Sequence, residues 1–132
     1  MNRVTRHIKW IMLVSGALTC TMFYAALAPQ AALDASFGDA LHGPLAEIVV
    51  RNWGVLITLI GALLIYGAFH PASRGPILLA AGASKLTFIS LVLAFGARYL
   101  DHQVGIAVLI DALTVVLFAV YFSDGLRVQH AD

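Results

Sequence analysis

Charge is scarce in this chain, and that scarcity excludes most soluble folds. Of its 132 residues, 11% are charged and 61% are hydrophobic, whereas an average soluble domain is about a quarter charged and about half apolar. The net charge is +1 and the Lys and Arg residues are scattered, so no basic surface indicates a nucleic-acid partner. The single cysteine, Cys20, lies in an apolar run and cannot form an intrachain disulfide. We therefore expect the lipid bilayer to surround the chain.

Ligands for a metal or a haem are missing from the apolar runs. The five histidines all fall in polar connections, near the termini or at the expected helix ends: His7, His42, His70, His102 and His130. The sequence also has no Gly-rich phosphate loop, no metal-ligand spacing and no pairing of a nucleophile with a base. We therefore expect no cofactor and no metal, and the residues favour a protein that is not an enzyme.

Apolar runs of membrane length dominate what is present. At about 1.5 Å per residue, each is long enough to cross a hydrocarbon core of about 30 Å. They predict helices over residues 10–28, 45–69, 75–99 and 103–122. In the polar segment 29–43, Leu33, Phe37 and Leu41 recur every four residues, which predicts a short interfacial helix. Residues 1–132 are thus expected to form one domain, an all-α bundle of four transmembrane helices with antiparallel neighbours.

The basic residues of the connections predict how the bundle is oriented. Five of them fall on the side of the two termini, namely Arg3, Arg6, Lys9, Arg74 and Arg127. Only Arg51 and Arg98 fall on the opposite side. Because cytoplasmic loops carry the excess of Lys and Arg, we expect both termini in the cytoplasm.

Two charges, Lys85 and Asp111, interrupt the last two apolar runs. Helical rise places them at depths that differ by only about 5 Å, within reach of a lysine side chain. An unpaired charge at that depth would cost about 3 kcal/mol, so we predict an ion pair between them. Hydroxyl residues of similar depth predict a polar pocket around it: Thr19, Thr58, Ser84, Thr87 and Thr114. The pair has two interpretations, a lock that fixes helix register and a site for a proton, an anion or a polar headgroup.

A second polar cluster is expected at the outer mouth of the bundle. It consists of Glu47, Arg51, Asn52 and Trp53. An arginine beside an aromatic ring can hold a phosphate or a carboxylate, but an interfacial arginine also extends commonly to lipid headgroups. Both interpretations remain open at this point.

Several of these features together resemble a known family. They are the segment PQAALDASFG after the first helix, the run RNWGVLITLIGALLIYGA, a turn with Pro and Arg, one lysine in the third helix and one aspartate in the fourth. Over about residues 10–122 the chain resembles the small four-helix membrane proteins of the DoxX-like group. That resemblance implies a bacterial inner-membrane protein of poorly defined role, in a group where some members accompany oxidoreductases.

The main functional hypothesis is an accessory or assembly subunit of a larger membrane complex, with a protein partner or a second copy of the chain. A stripe of mostly small residues on the second helix supports it because it allows close approach of a neighbour; the stripe is Gly54, Thr58, Gly61, Ile65 and Ala68. A small transporter or ligand-binding bundle that uses the Lys85 and Asp111 pocket is the alternative. A more remote one is a membrane redox partner, for which the chain offers only Cys20, Tyr24, Tyr66 and Tyr99.

Overall fold

The computed structural model describes residues 2–131 as α-helices joined by short turns. The helices are α1 (Arg3–Cys20), α2 (Phe23–Leu27), α3 (Pro29–Phe37), α4 (Pro44–Phe69), α5 (Arg74–Phe95) and α6 (Gln103–Gln129). Short 3-10 turns, Pro71–Ser73 and Ala97–Tyr99, flank α5. Within residues 2–131, four stretches are long and apolar enough to cross a membrane: Arg3–Leu27, Pro44–Phe69, Pro71–Phe95 and Gln103–Gln129. The prediction of an all-helical chain with four membrane-length helices is therefore confirmed.

The first span is not the single helix over residues 10–28 that the sequence predicts. α1 begins at Arg3 because the side chain of Asn2 accepts a hydrogen bond from the backbone N–H of Thr5, which satisfies one of the free N–H groups of a helix start. It ends at Cys20, where the Thr21 hydroxyl donates to the Leu18 carbonyl at 2.6 Å. The backbone N–H groups of Thr21 and Met22 there bond to the carbonyls three residues back, at 3.2 Å each, so the last turn tightens and α2 follows as a separate turn.

The last two spans also end elsewhere than expected. α5 stops at Phe95 rather than residue 99, because Gly96 leaves the helical conformation and its N–H caps the Val92 carbonyl. α6 continues seven residues beyond the predicted end at 122, to Gln129. Its final turns are held by Asp124, whose Oδ2 accepts hydrogen bonds from Asn2 N at 3.1 Å and Thr5 Oγ1 at 2.6 Å.

α1 and α4 approach each other closely along their small residues. A Cβ added at Gly16 would lie 2.7 Å from the Gly61 carbonyl oxygen, and one added at Gly61 would lie 2.7 Å from Cys20 Sγ. Real Cβ atoms essentially never show such distances, so the two backbones can meet only because both positions are glycine. The stripe seen in the sequence is therefore used inside this chain, between α1 and α4.

The long helices form a ring in which α1 packs against α4, α4 against α5, α5 against α6 and α6 against α1. One end of this ring, where Asp124 meets Asn2 and Thr5 and where Lys9 Nζ lies 4.7 Å from the Phe69 ring, we call the terminal end. The terminal end is filled by a buried apolar cluster. Its members are Ile8, Met12, Leu64, Ala68, Ile77, Leu78, Ala81 and Phe118.

The opposite end of the ring, which we call the α3 end, is covered by the segment predicted as interfacial. Only Pro29–Phe37 of residues 29–43 is helical, and Gly38 ends α3 with a φ of 65°, a conformation that suits glycine. Ala32 and Leu33 of α3 are buried against Ala25 and Val50. α3 packs on α2, α4 and α6, so it lies across the bundle.

Candidate functional site

Lys85 and Asp111 lie together inside the bundle. Lys85 Nζ donates to Asp111 Oδ1 at 2.6 Å, and the two side chains are 9% and 18% exposed. Lys85 Nζ also donates to Thr19 Oγ1 at 3.4 Å, and the Thr19 hydroxyl donates to the Ser15 carbonyl at 2.7 Å. The pair therefore links α5 to α6 directly and connects both to α1, which is what a helix lock requires.

A cavity of about 430 Å³ lies between this pair and α3. Its walls come from five helices. The lining residues are Ser15, Leu18, Thr19, Thr21, Met22, Ser36, Phe37, Trp53, Ile57, Ile60, Ser84, Lys85, Phe88, Gln103, Val104, Ile106, Ala107, Ile110 and Asp111. Most of this surface is apolar, and the polar groups at its deep end come from α1, α5 and α6. A pocket with mostly apolar walls and a few convergent polar groups is the usual form of a small-molecule site.

The polar residues predicted to surround the pair divide into two groups. Thr19 and Ser84 line the cavity. Thr58 and Thr114 are not among its lining residues; like Thr19, they donate to carbonyls of their own helices, those of Gly54 and Ile110, as hydroxyl groups in membrane helices commonly do. Thr87 is exposed and donates to the Ala83 carbonyl. The cavity is therefore not lined by Thr58, Thr87 or Thr114. For Thr87 the reason is that a residue at equal depth can lie on another face of the helix.

Ser15 is a site residue that the sequence analysis did not identify. It lines the cavity and is 7% exposed, and its Oγ has no hydrogen-bond partner in the structure. Buried hydroxyl groups in proteins are normally hydrogen-bonded, and this one lies beside the cavity without a partner, although the oxygen itself has almost no accessible surface. Its position one helical turn before Thr19 is the signal that could have revealed it, because the two share a helix face.

Three aromatic rings, those of Phe37, Trp53 and Phe88, form the wall of the cavity near α3. Phe37 lies 6.5 Å from Trp53 and 5.4 Å from Tyr99, measured between ring centroids, and Phe88 of α5 lines the same space. Behind this wall is a second, almost wholly apolar crevice of about 350 Å³. The rings of Phe37, Trp53 and Phe88 line both spaces and so separate them.

The cluster expected at the outer mouth does not form one site. Arg51 lies 3.7 Å from Glu47 and donates to the Ala26 carbonyl at 2.6 Å, so it caps the end of α2. Asn52 is exposed, and Trp53 faces the cavity.

A separate contact joins the end of α3 to the connection between α5 and α6. Tyr99 Oη donates to Asp39 Oδ2 at 3.3 Å, and Arg98 lies 4.0 Å from the same oxygen. The hydrogen bond that Arg98 donates to Tyr99 Oη raises the pKa of Arg98 above its ordinary value, with a smaller contribution from Asp39. Arg98 therefore stays cationic and tethers the segment that follows α3.

The residues of this site indicate a class of protein and do not indicate a particular reaction. Among residues 2–131, no group of three or more His, Cys, Asp and Glu side chains could hold a metal ion. Comparisons with protein-family models, with curated proteins and with solved structures find no match for this chain, and the resemblance to the DoxX-like group stays a prediction. The fold and the cavity define a multi-pass membrane protein with an internal space that ends at an ion pair.

Proposed function

We propose that this protein binds a small amphipathic molecule inside its bundle. The observation that carries the proposal is the cavity of about 430 Å³ with Lys85 and Asp111 at one end and aromatic rings along its wall. Its volume falls in the range of about 300–1,000 Å³ that ligand pockets occupy. A bundle that needed the ion pair only as a lock would have no reason to keep a space beside it, because interiors are normally close-packed.

Binding is favoured over transport by the way the cavity ends. Beyond the ion pair, the terminal end is filled by apolar side chains, of which Met12, Leu64 and Leu78 are fully buried. A transported molecule would have to displace this packed cluster, whereas a bound molecule needs no such movement. We therefore treat Lys85 and Asp111 as the floor of a binding site that also holds α5 to α6.

We further propose that the bundle lies in a bacterial inner membrane with antiparallel neighbouring helices and both termini in the cytoplasm. The excess of Lys and Arg on the side of the two termini supports this orientation. Fusion of an alkaline phosphatase or a fluorescent protein to the C-terminus tests it. Phosphatase activity in intact cells would contradict the cytoplasmic assignment.

A matched pair of substitutions on α6 tests the binding proposal. Ala107 lines the cavity, whereas Ala119 is exposed on the same helix. Ala107→Phe fills part of the cavity, and Ala119→Phe adds the same ring on the outside. Native mass spectrometry of each protein, extracted from its membrane in mild detergent, should show a bound small molecule in the wild type and in Ala119→Phe and little in Ala107→Phe. Equal occupancy of all three proteins would contradict a ligand in this cavity.

The accessory-subunit role stays a prediction beside this one, and the same preparation addresses it. A particle that contains stoichiometric larger subunits would make the chain part of a complex. A lone monomer or dimer would end that hypothesis. The two roles are compatible, since a subunit can hold a ligand for its complex.

A further inference from the structure

The cavity has a rim between α1 and α6 that is apolar at Leu18 and Ile106, whereas the exposed Thr21 and Gln103 make it polar nearer the α3 end. Leu18 of α1 and Ile106 of α6 both line the cavity, and they are 48% and 62% exposed. Residues that line an internal space and are also open to the outside mark its mouth. Both lie within membrane-length segments, so this mouth faces lipid chains.

The local path of the chain explains why the ring opens there. At the terminal end, α1 and α6 are joined through Asp124 and its hydrogen bonds to Asn2 and Thr5. α1 then ends at Cys20, and the following turn, α2, packs on α4 and α3. The chain that continues the first span is thus drawn toward α4 and away from α6, which leaves a cleft that is closed at one end.

We propose that the cavity opens sideways into the bilayer between α1 and α6, and that its ligand is a single-chain lipid with an uncharged, hydrogen-bonding head. The head, a hydroxyl or a carbonyl, enters from the membrane and lies between Ser15 and Lys85, while the chain leaves past Leu18 and Ile106. This inference rests on the proposed function and names the ligand class and the route for the same site.

The polar groups around Lys85 and Asp111 determine which ligand headgroup the site can bind. A lysine ammonium has three N–H donors; those of Lys85 bond Asp111 at 2.6 Å and Thr19 at 3.4 Å, which leaves one for a ligand oxygen. Ser15 Oγ, buried beside the cavity without a partner, is the second free group, and a head reaches it when the serine side chain turns toward the cavity. Because Lys85 and Asp111 already balance each other, a carboxylate or an ammonium head would add an uncompensated charge within the membrane-spanning part of the bundle. A neutral oxygen fits both free groups without that penalty.

The apolar walls of the cavity favour a ligand with a hydrocarbon chain. Trp53 and Phe88 come from α4 and α5, the two helices of the ring opposite the mouth, so methylene groups that enter past Ile106 meet aromatic faces. Outside the mouth the chain stays among lipid chains, where contact with protein gives little further gain. Affinity should therefore depend on the head and on the part of the chain inside the cavity, and little on total chain length.

Photolabelling locates both ends of such a ligand. The protein is reconstituted in vesicles of phosphatidylethanolamine and phosphatidylglycerol with a long-chain fatty alcohol that carries a diazirine either next to the hydroxyl or halfway along the chain. Labelled residues are identified by mass spectrometry, with the unlabelled alcohol as competitor. The diazirine near the head should label Ile60 and Ser84, and the mid-chain diazirine should label Leu18 and Ile106, both in a saturable manner.

A substitution at the mouth provides the matched control. Ile106→Trp narrows the opening, whereas Leu109→Trp adds the same side chain to a residue of α6 that is 73% exposed and does not line the cavity. Because the indole would occupy the opening through which the chain passes, Ile106→Trp should reduce saturable labelling about tenfold, and Leu109→Trp should leave it unchanged. In competition, the matched fatty acid and alkyl amine should be at least about tenfold weaker than the alcohol.

The outcomes separate this inference from the proposed function. Saturable labelling deep in the cavity, together with mid-chain labelling at Leu91 and Phe95, would overturn the α1 and α6 route and leave the binding site in place. Equal competition by the acid, the amine and the alcohol would overturn the uncharged head. Absence of any saturable labelling inside the cavity would overturn both this inference and the proposal that the cavity binds an amphipathic molecule.

Discussion

Separate removal of the two partners in the Lys85 and Asp111 pair tests whether the pair holds the bundle together. Lys85→Met leaves the Asp111 carboxylate, 18% exposed, without its cation, and Asp111→Leu leaves an ammonium that is 9% exposed with only the 3.4 Å bond to Thr19. Breaking a buried pair costs about 3–5 kcal/mol. We expect about 3 kcal/mol for Lys85→Met and slightly more for Asp111→Leu, because the lysine is the less exposed partner.

The double variant Lys85→Met with Asp111→Leu removes both charges and leaves two apolar side chains of similar length in contact. Replacement of a buried pair by apolar residues is often close to neutral, so we expect a loss of about 1 kcal/mol and, with the single losses above, a coupling of about 5 kcal/mol between the sites. The free energy of unfolding is measured by dodecyl sulfate titration in mixed micelles with circular dichroism as the readout. Thr87→Val, on the exposed face of α5, serves as the control.

Additive losses in the double variant would refute the lock, because independent sites show no coupling. A stable double variant that no longer retains the bound molecule would show that the pair also serves the site.

Three further predictions concern packing, the free hydroxyl and the arginine cap. Gly61→Ala should lower the free energy of unfolding by about 1–3 kcal/mol, because the added Cβ would lie 2.7 Å from Cys20 Sγ. The control Gly125→Ala, which has nothing within 4 Å of the added Cβ, should leave the free energy of unfolding unchanged or raise it by up to about 1 kcal/mol. Equal effects of the two substitutions in the same titration would contradict the close approach of α1 and α4. Ser15→Ala should leave the free energy of unfolding unchanged or raise it by up to about 1 kcal/mol, since no bond is lost, and a larger loss would reveal a partner for the hydroxyl. Arg51→Gln should lower the free energy of unfolding by less than about 1 kcal/mol, because the arginine side chain is half exposed. Hydrogen exchange of the backbone amides of residues 26–32 should nevertheless become faster, and unchanged exchange there would contradict the cap of Arg51 on α2.

The central pair could be predicted from sequence because depth is a one-dimensional quantity. Counting residues along two helices is enough to bring Lys85 and Asp111 to one level, and the cost of an isolated charge then requires a partner. The face of the helix on which a side chain lies is a second quantity, and depth in the membrane does not give it. Thr87 follows Lys85 by two residues, or about 200° around the helix, and accordingly it points away from the pair. The predicted pocket used depth alone and so included it.

The cavity itself has no signature in the sequence. It exists because α1 ends at Cys20 and because α3 spans the end of the bundle, and both depend on contacts between residues distant in the chain. Gly54 illustrates this dependence: a Cβ there would lie 2.7 Å from the Ala26 backbone nitrogen, so the turn after α1 is fixed by α4. Ser15 is important only because this arrangement leaves its hydroxyl without a partner.

The packed cluster at the terminal end has a consequence for the electrical properties of the membrane. A water-filled path along the bundle would let protons and ions run down their gradients, and each unit charge that crosses dissipates about 2.3 kcal/mol per 100 mV. Met12, Leu64 and Leu78 are fully buried across that path, so the bundle insulates even though it carries charged groups inside. We therefore expect the bundle to add no ion leak to the membrane that holds it.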